Sequence, residues 1–310
     1  MLEHTLADSE WDAAVATEPL FTDDYATDLA YLHTRAGINV GSKACRQNCE
    51  RLWDIYEPFA DPEFRTELRS NFSARYWEMY LTTTLISLGY KVCCPKPGPD
   101  VGIEFDGLRI WFEATSPDRG QDGSTDQVPD VKFDGQAREV PNEKIILRYL
   151  NSISTKKAQR EGWLKKGCIN VNDAFVIALN PRGLGHDIVD CIPPRILQAA
   201  FAVGNPYVVF SRDDLQQVGR GFHFRDTIIK KSGAAVGTGV FQQEIYAPLS
   251  GLLCSRIDVA NQPEHWGADF QLVPNPHATV LLPPAFRLPG TFFRVEHVCD
   301  GYDVTLESCK

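Results

Sequence analysis

The stretch Asp100-Val-Gly-Ile-Glu-Phe-Asp-Gly-Leu-Arg-Ile-Trp-Phe-Glu113 leaves the chain little choice of local structure. Asp106-Gly107 stands between two alternating runs, and such a pair tolerates the positive φ angles that a two-residue hairpin turn requires. With Phe105 and Leu108 closing the turn, Val101 falls opposite Phe112 and Ile103 opposite Ile110, so one face is wholly apolar. On the other face Glu104 opposes Arg109, and Gly102 leaves room for Trp111. Both faces support this register.

The same register sets Asp100 directly opposite Glu113. Opposed residues have Cβ atoms about 4.5–5.5 Å apart, where like charges repel. A divalent cation removes that repulsion, and hard oxygen ligands at this spacing suit Mg²⁺ or Mn²⁺. The alternative is that the strands end before these residues and each carboxylate is solvated separately. On the preceding segment Arg75, Glu78, Leu81, Leu85 and Leu88 follow helical spacing, which puts Glu78 on the apolar stripe. A buried glutamate needs a partner. Two remain open: an internal pair with Arg75, or the metal centre of Asp100 and Glu113.

Around this hairpin the pattern reads as a mixed α/β (α+β) chain in three regions. Residues 1–70 read as helical, with Tyr25–His33 and Ala44–Tyr56 the clearest segments. Residues 71–182 read as a core of order α-β-β-β-α-β. Ser73 caps its first helix, which stops at Gly89; β-like runs follow at Tyr90–Cys94, Val101–Phe105 and Leu108–Thr115. A Gly-, Pro- and Asp-rich loop over 116–142 leads to a helix from Glu143 to about Lys166, and Ala174–Leu179 suits a buried strand. Residues 183–310 read as an α/β to β-rich region packed on the core, with a helix over Ile188–Phe201 and a strand at Tyr207–Phe210.

The chain is acidic, with net charge −10, which excludes a protein that coats nucleic acid over its whole surface. Residues 143–170 are the exception: seven Lys and Arg face only Glu143 and Glu161. No apolar run approaches the roughly 18–20 residues of a membrane span. The acidic start lacks the pattern of a signal peptide. Nine cysteines form an odd set without CxxC spacing, which points to reduced thiols and a cytoplasmic setting. The seven histidines show no HxxxH or HxH spacing, and no GxxxxGK[ST] motif occurs.

A helix bearing Glu78, a strand, Pro99-Asp100, then Glu113-Ala114-Thr115, a helix and a further strand together resemble the PD-(D/E)XK, or restriction endonuclease-like, nuclease superfamily. The resemblance covers roughly residues 71–182. It implies that superfamily's core: a mixed sheet flanked by helices. One departure matters. The motif lysine should stand two residues after Glu113, and Thr115 occupies that position. Some members carry this lysine on the following helix, which here is the basic segment. There Arg148, Ser152, Lys156 and Gln159 share a polar face, while Ile146, Leu150, Ile153 and Leu164 turn to the sheet. Lys156 is the first candidate for the displaced lysine and Lys157 the second.

The resemblance implies Mg²⁺-dependent hydrolysis of phosphodiester bonds in nucleic acid, DNA before RNA, with Mn²⁺ as a substitute. Asp100, Glu113 and the Ala114 carbonyl would hold the ion, with Glu78 as a further acid. Lys156 would stabilise charge, and Arg75, Arg148, Gln159 and Lys157 would contact substrate. A homodimer is compatible with this reading. Two other classes stay open: a nuclease-fold protein that binds nucleic acid or a protein without cutting, because Thr115 replaces a chemical group, and an enzyme with its chemistry in the C-terminal half.

Overall fold

The computed structural model describes residues 18–132, 134–186, 190–298 and 301–309. Helices α1 (Leu29–Ala36), α2 (Val40–Tyr56), α3 (Phe64–Leu68) and α4 (Phe72–Ser87) come first. Strands β1 (Val101–Phe105) and β2 (Leu108–Thr115) form the hairpin, in the register read from the sequence: Val101 opposite Phe112, Ile103 opposite Ile110, Glu104 opposite Arg109. Helix α5 (Asn142–Lys165), strand β3 (Ala174–Leu179) and helix α6 (Arg195–Phe201) follow. The remaining strands are β4 (Val203–Phe210), β5 (Gln217–Phe224), β6 (Thr227–Ile229), β7 (Ala235–Gly237), β8 (Gly251–Cys254), β9 (Gln271–Pro274), β10 (Gly290–Val298) and β11 (Gly301–Cys309).

Among the described residues, seven strands make one mixed sheet in the order β1-β2-β3-β8-β9-β10-β11. The sheet runs across residue 182, so strands of the core and of the C-terminal region share it. Side-chain alternation divides its two faces. Val101, Ile103, Ile110, Phe112 and Val176 pack with residues of α2 and α4, such as Leu52, Trp77 and Leu81. Trp111, Phe175, Ile177 and Leu252 pack with α5 and α6 through Ile146, Leu150, Ile153 and Ile196. The result is three layers, helix on sheet on helix. Trp77 locks one side by donating its indole N–H to the Ala178 carbonyl at 2.9 Å.

Several expectations need correction. Tyr90–Cys94 is not a strand but a single bridge between Cys93 and Gly102. The prolines at 95, 97 and 99 explain this, since each removes a ladder donor. Helix α4 starts one residue before Ser73, and Asp28 rather than Ser73 accepts from its first N–H, that of Phe72, at 3.1 Å. The helix expected over Ile188–Phe201 begins only at Arg195, after Pro193-Pro194; Ile188 and Val189 lie outside the described residues, as do residues 1–17 of the N-terminal region. No helix among the described residues is long and apolar enough to cross a membrane.

Candidate active site

The site begins where the hairpin ladder ends. In a two-residue hairpin the closing pair, Phe105 and Leu108, exchanges hydrogen bonds, as does every second pair beyond it. That sequence reaches Val101–Phe112 and would next join Pro99 to Ala114. Proline has no N–H to give. The Asp100 carboxylate takes the vacant place, and Oδ2 accepts the Ala114 N–H at 2.7 Å. The Asp100 N–H in turn points to Glu113 Oε2 at 3.4 Å. The ladder itself stops at Val101–Phe112, so the strand ends before Asp100, as in the second arrangement considered from sequence. Yet the two acids are not solvated separately and still meet at the end of the hairpin.

Glu113 is 1% exposed. It shares its face of β2 with Trp111, the face covered by α5. From that helix Lys156 reaches down, and its Nζ donates to Glu113 Oε1 at 2.7 Å. Gln159, one turn on, accepts from the same ammonium at 3.1 Å. The apolar stripe of Ile146, Leu150 and Ile153 is buried against the sheet and fixes the rotation that delivers Lys156. Lys157 points elsewhere: it pairs with Glu161 at 2.6 Å and lies 6.0 Å from the Tyr246 ring centre.

Burial is the largest influence on both carboxyls and pushes each above its ordinary value. For Asp100 the neighbouring Glu113 and Glu78 charges push the same way, and Lys156 and the Ala114 N–H only partly oppose them. For Glu113, Lys156 is the chief opposing influence. The acid pair has one direct ammonium contact, that of Lys156 on Glu113.

Glu78 lies on α4, which covers the face of the sheet opposite α5, and its charge still reaches Asp100. It is buried on α4, and it accepts from the Tyr56 hydroxyl at 2.9 Å and from Arg75 at 2.5 Å. Lys96 Nζ lies 3.7 Å from Glu78 and 3.5 Å from Asp61. Arg75 also pairs with Asp61 at 3.6 Å and with Glu67. The Arg75–Glu78 pair allowed by the sequence is thus formed, and Arg75 is committed to carboxylates. Burial works against the Lys96 ammonium, yet Glu78, Asp100 and Asp61 outweigh it and hold its pKa above the ordinary value. Burial raises the Tyr56 hydroxyl well above its usual value, helped by Glu78. Arg148 is committed as well: its Nε donates to the Asp118 carbonyl at 2.7 Å and its guanidinium pairs with the Asp118 carboxylate, pinning the start of the long loop.

Sequence reasoning missed Lys96, Tyr56 and Asp61. Lys96 had a signal, since it stands in the run Cys-Pro-Lys-Pro-Gly-Pro-Asp that leads into Asp100. Tyr56 and Asp61 had none, because only the packing of α2 against α4 brings Tyr56 to Glu78, and only the fold brings Asp61 to Arg75 and Lys96.

Among the described residues no three His, Cys, Asp or Glu side chains converge as a metal-holding group. The hairpin end offers two carboxylates, with Glu113 already held by Lys156 and Asp100 by the Ala114 N–H. Two carboxylates are within the number that Mg²⁺ commonly takes from a protein, the rest of its shell being water. Comparison with protein-family models, with curated proteins and with solved structures finds no match to this chain.

Proposed function

We propose that the chain is a Mg²⁺-dependent phosphodiesterase acting on nucleic acid, with DNA the first substrate to test, built on a restriction endonuclease-like core with its lysine displaced from Thr115 to Lys156. The observation that carries the reading is the Lys156–Glu113 contact, made between residues 43 apart in sequence. A lysine brought from the following helix to the second acid is what the resemblance requires once Thr115 has replaced the motif lysine.

Asp100 and Glu113, with the Ala114 carbonyl, would hold the ion. When bound, Mg²⁺ lowers the pKa of a ligated water and offsets charge on the phosphoryl oxygens. Lys156 keeps Glu113 in place and sets a positive charge beside the acid pair, where negative charge grows as water adds to phosphorus and the ester P–O bond breaks. Gln159 fixes the lysine's direction. The buried Glu113 and the apolar stripe of α5 exclude bulk water from one side of the pair. Glu78 holds Lys96, whose ammonium also feels the Asp100 charge.

A second reading, a nuclease-fold protein that binds without cutting, draws on Thr115 and on the engagement of Arg75 and Arg148 with carboxylates. The deciding experiment incubates the chain with duplex DNA, single-stranded DNA and RNA in Mg²⁺ and in Mn²⁺. Cleavage that is lost on chelation and in Asp100→Ala supports the first reading. Absence of cleavage of all three substrates with either ion overturns it.

A further inference from the structure

β4 and β5 form a two-stranded antiparallel ribbon that joins no other strand among the described residues. Every residue from Asn205 to Phe210 is exposed, and along β5 only Gly219 and Gly221 are partly covered. A lone two-stranded hairpin is at best marginally stable in water. This one also carries apolar side chains on both faces. Tyr207 and Val209 lie on one; Val208, Phe210 and Phe222 lie on the other, 50%, 58% and 47% exposed.

The exposed apolar side chains are divided between the two faces, and the outer strand edges of the ribbon have no partner among the described residues. An unpaired strand edge of this kind is a ready template for another chain. Charge narrows the choice of partner. Residues 203–226 carry Arg212, Arg220 and Arg225 against Asp213, Asp214 and Asp226, a net of zero in a chain of net −10. A polyanion finds no excess positive charge there. Two acidic copies that meet at this neutral arm meet without a local excess of like charge.

We infer that the ribbon is the interface between two copies of this chain, joined by antiparallel pairing of β5 with the partner's β5 into one four-stranded sheet. β5 is the pairing edge because it keeps every N–H, whereas β4 contains Pro206. Identical strands related by a two-fold axis normal to the sheet pair antiparallel, and each side chain keeps its face. Centred on Arg220, this pairing would set two guanidiniums opposite one another. Centred on Gly221, it sets Arg220 opposite the partner's Phe222, cation over ring. On the other face Gly221 lies beneath the Tyr207 ring, where a Cβ would come within 2.6 Å of the hydroxyl oxygen.

Sedimentation velocity over a wide concentration range tests this directly. The wild-type chain is expected to dimerise, and Phe222→Glu to raise the dissociation constant about 30-fold or more, as loss of an interface anchor does. Its circular dichroism and unfolding temperature at low protein concentration should match those of wild type, because Phe222 is open to water in a single copy. An Arg220→Cys chain mixed with a Phe222→Cys chain should form a disulfide-linked pair far faster than either alone. A wild-type chain that stays monomeric throughout, or a Phe222→Glu chain that dimerises as well as wild type, overturns the proposal. So does a monomeric wild type that loses retention on duplex DNA when Phe222 becomes Glu, since the ribbon then serves nucleic acid. Dimerisation without the mixed disulfide rejects the β5 pairing.

Discussion

The chain contains two antiparallel hairpins with different fates. β1–β2 is covered by helices on both sides, with Ile103, Ile110 and Phe112 removed from water. β4–β5 has a comparable length of paired strand and almost no cover. The first is held by its side chains, so its register follows from which residues must be buried. The second is held by little beyond its own ladder, which shifts register twice. A hairpin fixed on both faces can hold two repelling carboxylates together, because packing elsewhere offsets the cost. A hairpin free on both faces can do no such work, but it leaves an edge for another chain.

Chemistry should separate the two hairpins most. Asp100→Ala and Glu113→Ala are each expected to lower the rate of metal-dependent cleavage by about 10³-fold or more. Phe210→Ala, on the exposed ribbon, should leave the rate per site unchanged. Single-turnover assays with duplex DNA measure both. Equal losses from the two hairpins would mean that the ribbon belongs to the catalytic machinery.

Stability comes next. Ile103→Ala and Ile110→Ala each open a cavity in a fully buried face and should cost about 2–5 kcal/mol. Val208→Ala should cost the isolated chain no more than about 0.5 kcal/mol. Denaturant titration at low protein concentration decides this. A costly Val208→Ala would show that the ribbon is packed on the rest of its own chain.

The pair Lys156 and Lys157 tests whether the helix over the first hairpin is oriented for the acids. Lys156 is the lysine that the helix delivers to Glu113. The structure places its ammonium on a fully buried carboxylate, so its removal leaves Glu113 without its cation. Lys156→Ala should therefore lower turnover and also cost about 3 kcal/mol near neutral pH, as a broken buried pair does. Adding Glu113→Gln should recover much of the stability but none of the turnover. Lys157→Ala breaks an exposed helical pair and should cost about 0.5 kcal/mol or less. Turnover and unfolding of the three variants settle the ranking.

How far the sequence could be read follows the same contrast. The β1–β2 register was legible because alternation, Asp106-Gly107 and the Glu104–Arg109 pair all agree. The meeting of Asp100 and Glu113 followed from that register. The rotation of α5 followed from its apolar stripe, which is why Lys156 rather than Lys157 came to Glu113. Glu78 was legible as buried, but its partners Tyr56 and Lys96 were not, since they depend on how separate helices and a proline-rich loop pack. Arg148 looked free for phosphate on its own helix; Asp118, thirty residues earlier in a loop without periodicity, takes it. The bare ribbon could not be foreseen either. Tyr207–Phe210 reads as an ordinary strand, and only three-dimensional packing reveals that no layer covers it.

The smallest expected effect asks whether the first hairpin carries a cost for its chemistry. Burial first, and then the charges of Glu113 and Glu78, raise the Asp100 carboxyl above its unfolded value. The folded state therefore holds this proton to higher pH than the unfolded chain does. The stability linked to the proton is complete below the unfolded pKa of about 4 and is lost as pH rises through the folded value. Asparagine imitates the protonated acid, and its oxygen can still accept from the Ala114 N–H. Asp100→Asn should then unfold at a higher temperature than wild type near pH 8, by roughly 2 °C for each kcal/mol regained, and the difference should shrink towards pH 4. Mg²⁺ should raise the wild-type midpoint and not that of the variant, because an ion that binds only the folded chain stabilises it. A difference that grows as pH falls would mean that Asp100 is held as a carboxylate by partners other than those described.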